Sequence, residues 1–120
     1  MSPETIKQSV LQSARGLSLG ALWQHIEVEC RTIPDNSSLR KAIFFELLRQ
    51  ELKGGQICLA SDGHFLAGSV EEQLQRLADA WPSPDSDDES DDVDDTGLWF
   101  LAKAPAGLVW ITPDGQEVWT

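Results

Sequence analysis

Two cysteines, nine basic residues and no apolar run near the ~20 residues that cross a bilayer set the first limits on this 120-residue chain. Cys30 and Cys58 are too few for a disulfide scaffold. They form no CxxC pair and have no clustered histidines, so zinc is not expected. The start, Met1-Ser2-Pro3-Glu4, lacks a basic region followed by an apolar stretch, so no signal peptide is expected and the protein is expected to be soluble and cytoplasmic. No GxxxxGK[ST] or GxGxxG occurs, so the scattered glycines build no phosphate loop.

Basic residues are scarce against 20 acidic ones, and the formal net charge is −11. Such a chain repels nucleic acid and anionic membrane and attracts basic partners. The excess is local. Between Pro82 and Thr96 lie eight acids, Asp85, Asp87, Asp88, Glu89, Asp91, Asp92, Asp94 and Asp95, and no lysine or arginine. The rest of the chain holds 12 acids and nine bases, a net of only −3. Val93 is the one large apolar residue of the acidic stretch, which therefore cannot bury enough surface to offset its ordering entropy. Like charges also push it open. Residues 1–120 are thus expected to form a single domain with an acidic mobile loop at about 82–96.

The 41% of hydrophobic residues are patterned. A first helix starts at Ser2-Pro3 and carries Ile6, Val10, Leu11 and Ala14 at helical spacing up to Gly16. A second starts at Ser18, with Leu19, Leu22, Trp23 and Ile26 on one face, and fades near Arg31. A third follows the caps Asp35, Asn36, Ser37 and Ser38. It carries Leu39, Ile43, Leu47 and Leu52, widened by Phe44 and Leu48, and stops at Gly54-Gly55. Gln56–Ala60 and His64–Leu66 read as a hairpin about Asp62-Gly63. Ser69 with Glu72 makes a capping box for a fourth helix bearing Val70, Leu74, Leu77 and Trp81. The period then becomes two, giving strands at Leu98–Lys103, Leu108–Thr112 and Gln116–Trp119. The expected fold is α+β: about four helices packed on a small antiparallel sheet, a hairpin plus a C-terminal three-stranded meander.

No enzyme chemistry stands out. His25 and His64 have no ligand spacing, and ordinary surface or hydrogen-bonded histidines account for both. Ser61-Asp62-Gly63-His64 gathers hydrolase residue types but reads better as turn chemistry, since triad members converge from separate elements. Asp92, Asp94, Thr96 and Gly97 match an EF-hand loop at positions 1, 3, 5 and 6, but position 12 is Lys103 where a bidentate Glu is needed. The protein is therefore expected not to be an enzyme and to need no metal or cofactor. Five tryptophans are many for this length. Core packing accounts for most of Trp23, Trp81, Trp99, Trp110 and Trp119. A tight meander would bring Trp110 and Trp119 together, and an exposed tryptophan beside the acidic loop would anchor an interface.

The run Gly63-His64-Phe65-Leu66-Ala67-Gly68-Ser69, then Glu71-Glu72-Gln73 and Trp81-Pro82, resembles a small bacterial family known as domain of unknown function 596. So does the ending, with Leu98-Trp99-Phe100, Pro105-Ala106-Gly107, Val109-Trp110-Ile111, Gly115 and Trp119-Thr120. The resemblance spans roughly Leu22 to Thr120. Members resemble immunity proteins of polymorphic toxin systems, including contact-dependent growth inhibition. The resemblance implies an antitoxin-like inhibitor that binds a toxin's C-terminal domain. The acidic run lies outside the family pattern, and its role is read from charge. Toxin-binding residues are expected to be the eight acids and Trp99, set against a nuclease's basic, phosphate-binding surface in a 1:1 complex. A solvated linker is the other reading of the run, and the toxin would then dock on the folded surface. A secretion chaperone or adaptor for an effector protein is the alternative function.

Overall fold

The computed structural model describes residues 3–34, 37–61, 63–81, 104 and 106–120. The expected acidic loop, the strand at Leu98–Lys103 and Trp99 lie outside the described residues. So do the helix caps proposed at Ser2, Asp35 and Asn36.

The described residues form four helices, α1 (Pro3–Ala14), α2 (Leu19–Cys30), α3 (Ser37–Lys53) and, after a hairpin, α4 (Val70–Ala80). Their apolar stripes decide the packing. Ile6, Val10 and Ala14 of α1 bury against Leu22, Trp23 and Ile26 of α2 and Ile43, Phe44, Leu47 and Leu48 of α3. Leu74 and Leu77 close the cluster from α4, with Val70 and Trp81 packed on its margin. The helix ends follow local chemistry. Ser18 accepts from the Ala21 amide and Ser69 from the Glu72 amide, each satisfying a first-turn donor. At the end of α3, Gln56 N–H reaches Glu51 and Gly55 N–H reaches Leu52, the paired bonds of a Schellman stop, with Gly55 at φ 73°. Arg49 ties α3 to α4 by donating to both oxygens of Glu71, at 2.8 and 3.2 Å.

The strands are β1 (Ile57–Ser61), β2 (His64–Phe65), β3 (Gly107–Ile111) and β4 (Glu117–Trp119). They form one antiparallel sheet in the order β2-β1-β3-β4. The place beside β3 that a meander gives to its preceding strand is taken by β1, with Ile57 opposite Trp110 and Leu59 opposite Leu108. These four residues are buried and point to the helices, where they join the core. Trp110 is held further by its indole N–H, which donates to the Leu17 carbonyl at 2.8 Å and so pins β3 to the α1–α2 turn.

Candidate functional site

A sheet strand alternates its faces, so the residues between the core positions look away from the helices. Along β1 these are Cys58 and Ala60; along β3 they are Gly107, Val109 and Ile111. The pairings add Phe65 opposite Ala60, Trp119 opposite Val109, and Glu117 opposite Ile111. Ala60 and Val109 are buried yet stand outside the helical core cluster, which marks this second face as a separate apolar surface.

Its main feature is a pair of aromatic rings. Phe65 and Trp119 sit on the two opposite edge strands, yet their rings stack with centroids 5.3 Å apart and planes 20° from parallel. Two causes bring them together. The small sheet is curled. The positions between the rings include Ala60 and Gly107, whose small or absent side chains leave room over the sheet. Both rings remain 47% exposed, although each is large and apolar. The Trp119 indole N–H donates to the Glu117 carboxylate at 3.2 Å, which fixes the ring and sets a negative charge beside it. An open groove of about 280 Å³ runs alongside, lined by Ala60, Ala104, Gly107, Val109, Trp119 and Thr120.

The other tryptophans are used differently. Trp23 is buried and meets Phe44 and Trp81 edge-on, at 5.5 and 5.2 Å. Phe45 lies 5.3 Å from Trp81 and completes the cluster at the end of α4. Basic side chains cap these rings: Arg40 over Trp23, Lys41 over Trp81 and Arg15 over Trp110, at 5.2 to 5.6 Å. Trp110 and Trp119 are not cross-strand neighbours. Trp110 pairs with Val118 and Trp119 with Val109, so the two indoles leave the sheet on opposite faces.

The toxin-binding residues expected from sequence, the eight acids from Asp85 to Asp95 and Trp99, lie outside the described residues, so the structure does not bring them into a site. Phe65 was missed by sequence reasoning as a surface residue. Its signal was available, because a hairpin that pairs Ser61 with His64 sets Phe65 opposite Ala60 on one face.

Potential reactive groups are few. Burial raises the pKa of the Cys58 thiol, and the Glu117 charge raises it further. Burial also raises that of Cys30, with Arg40 opposing. Both are therefore held as thiols and are poor nucleophiles. Among the described residues no group of His, Cys, Asp and Glu could hold a metal ion, and no helix is long and apolar enough to cross a membrane. His25 is half-buried on α2, and His64 is exposed on β2.

The profile of a family described as protein of unknown function, DUF596, matches residues 52–120, more than half of the chain. The chain belongs to this family. The matched region opens in the last turn of α3 and contains all four strands, so the Phe65–Trp119 face lies wholly within the DUF596 segment. Among solved structures, the chain is similar to an uncharacterized protein conserved in bacteria, from Neisseria meningitidis. The two are 26% identical with a TM-score of 0.75, over 98% of this chain and 88% of that one. That likeness covers the N-terminal helices as well as the segment the family model matches. No curated protein matches the chain.

Proposed function

We propose that this DUF596 chain is a cytoplasmic immunity protein. It binds the C-terminal toxin domain of a contact-dependent growth inhibition or related polymorphic toxin system one-to-one, and neutralises it without catalysis. The observation that carries this reading is the eight acids, with no base, between Pro82 and Thr96. The family resemblance supplies the immunity class, and the charge supplies the kind of toxin. A nuclease needs a basic cleft for phosphates. A concentrated negative segment can occupy that cleft in place of the phosphate chain. Fifteen residues span at most about 50 Å when extended, enough to follow such a cleft. Complementary charge also speeds encounter, to about 10⁸–10⁹ M⁻¹s⁻¹ at low salt, which suits a cell facing an incoming toxin.

The test is co-expression. The toxin domain to be tested is the C-terminal domain of whatever large secreted protein the adjacent gene encodes. Sensitive cells making that domain should grow when they also make this protein, and purified components should form a 1:1 complex. Killing that continues at matched expression refutes the proposal. Replacing the eight acids by Ser or Asn should leave the fold intact, slow association and flatten its salt dependence. Unchanged association would assign the segment to a solvated linker. A secretion adaptor would instead be needed by the producing cell and would give a target cell no protection.

A further inference from the structure

We infer that the outer sheet face, centred on Phe65, Trp119 and Glu117, is a docking surface for a basic protein partner, and that it receives an arginine or lysine side chain of that partner against the indole. The identity of the partner as a toxin domain rests on the immunity reading above; the surface and its chemistry come from the sheet.

Three observations lead there. First, the rings are exposed but ordered. Stacking holds each against the other, and the Glu117 carboxylate holds the indole N–H, so little freedom is lost when a partner lands. Second, this protein already shows what its tryptophans attract. Among the described residues Trp23, Trp81 and Trp110 each have a basic side chain over the ring, whereas Trp119 has none. No basic side chain pairs with Glu117 among those residues either. An indole face beside a carboxylate is a site for a cation, and among the described residues none fills it. Third, charge selects among the possible occupants. A second copy would bring another chain of net charge −11, with its own Glu117, onto the same patch. A basic protein meets the opposite sign. The groove beside the rings is open and of about 280 Å³, small for enclosing a ligand but suited to one or two side chains of a larger partner.

The experiment measures binding of the neighbouring toxin domain to wild type and to Trp119→Ala, Trp119→Phe, Phe65→Ala and Glu117→Gln. Val28→Ser, on an exposed apolar position of α2, is the control. Trp119→Ala should weaken binding by about 30-fold or more, as a central aromatic anchor does. Trp119→Phe should keep part of the affinity, Glu117→Gln should lose a few-fold, and Val28→Ser should change nothing. In the wild-type complex the Trp119 indole N–H resonance should shift, a readout that needs no variant to fold. Wild type that binds and protects, with Trp119→Ala and Phe65→Ala equally tight and the indole resonance unmoved, overturns the surface and leaves the immunity reading standing. Failure of wild type to bind overturns both. A wild-type dimer that Trp119→Ala makes monomeric also overturns the proposal, because the face would then be a self-contact.

Discussion

Truncating Trp110 should be among the most damaging single changes available to this fold. The indole is 3% exposed, faces Ile57 across the β1–β3 pair and belongs to the core cluster. Removing a buried tryptophan side chain costs about 3–5 kcal/mol, the spread reflecting how far the site can collapse. A chain of this length loses about 4 °C of midpoint per kcal/mol, so Trp110→Ala should melt about 12–20 °C lower. Trp110→Phe divides that cost. It keeps most of the ring but loses the bond to the Leu17 carbonyl, worth about 1 kcal/mol. The bond is only partly buried, and the phenylalanine variant should lose only about 1–2 kcal/mol in all. Arg15→Met, which removes the cation over the ring, should cost about 0.5 kcal/mol. Urea unfolding followed by far-ultraviolet circular dichroism measures all three without relying on tryptophan emission. A Trp110→Ala variant within about 1 kcal/mol of wild type would refute the placement of this ring in the core. Equal losses for Ala and Phe would refute the division between burial and hydrogen bond.

Two further perturbations test the joints between elements. Gly115 has φ 86° in the β3–β4 turn, so Gly115→Ala should destabilise by about 1–2 kcal/mol and Gly115→Asn by less, measured as midpoint shifts in urea. The Arg49 hydrogen bonds hold the Glu71 carboxyl below its ordinary value of 4.5, aided by the Arg49 and Lys53 charges. A carboxyl depressed on folding stabilises above its unfolded pKa, and that contribution is lost as pH falls through the folded value. The stability difference between wild type and Glu71→Gln should therefore be present near neutrality and shrink as the pH falls below the ordinary carboxyl value of 4.5; a constant difference would refute the pairing.

Much of the architecture was legible because it is local. The stripe Ile43, Leu47 with Phe44 and Leu48 faces the core as 3.6-residue spacing requires. The Ser69 cap, the Gly54-Gly55 stop and the pairing of β1 with β2 follow from residues within a short stretch of each other. The pairing of β1 with β3 was not legible. More than 40 residues separate Ser61 from Gly107, and no local pattern records which edge a distant strand will choose. The candidate surface was hidden for a subtler reason. The expectation that Trp110 and Trp119 meet holds only for a two-residue turn at Asp114-Gly115, whereas the strand bounds Leu108–Thr112 and Gln116–Trp119 already leave three residues between them. In the structure Thr112 pairs with Gln116, Gly115 takes the left-handed conformation, and the loop holds those three residues. One residue of register turns every side chain of the return strand to the other face.

That one-residue shift separates two functions that the sequence places nine positions apart. With Trp110 inward, β3 secures the sheet to the helices. With Trp119 outward, β4 presents an aromatic ring and a carboxylate to solvent. An exposed aromatic pair on edge strands invites self-association, but among the described residues the outer strands are only two and three residues long. The net charge of −11 further opposes the approach of like chains. On the proposed reading, acidity would do two things at once: oppose the approach of like chains and favour a partner of opposite charge at the ring. Stability and binding should then be separable by residue. Trp110→Ala should lower the melting midpoint of the free protein, and its binding defect should disappear once the folded fraction is accounted for. Trp119→Ala should melt near wild type and bind poorly. If the two variants share one phenotype, the two faces are not independent and the division of labour across β3 and β4 is wrong.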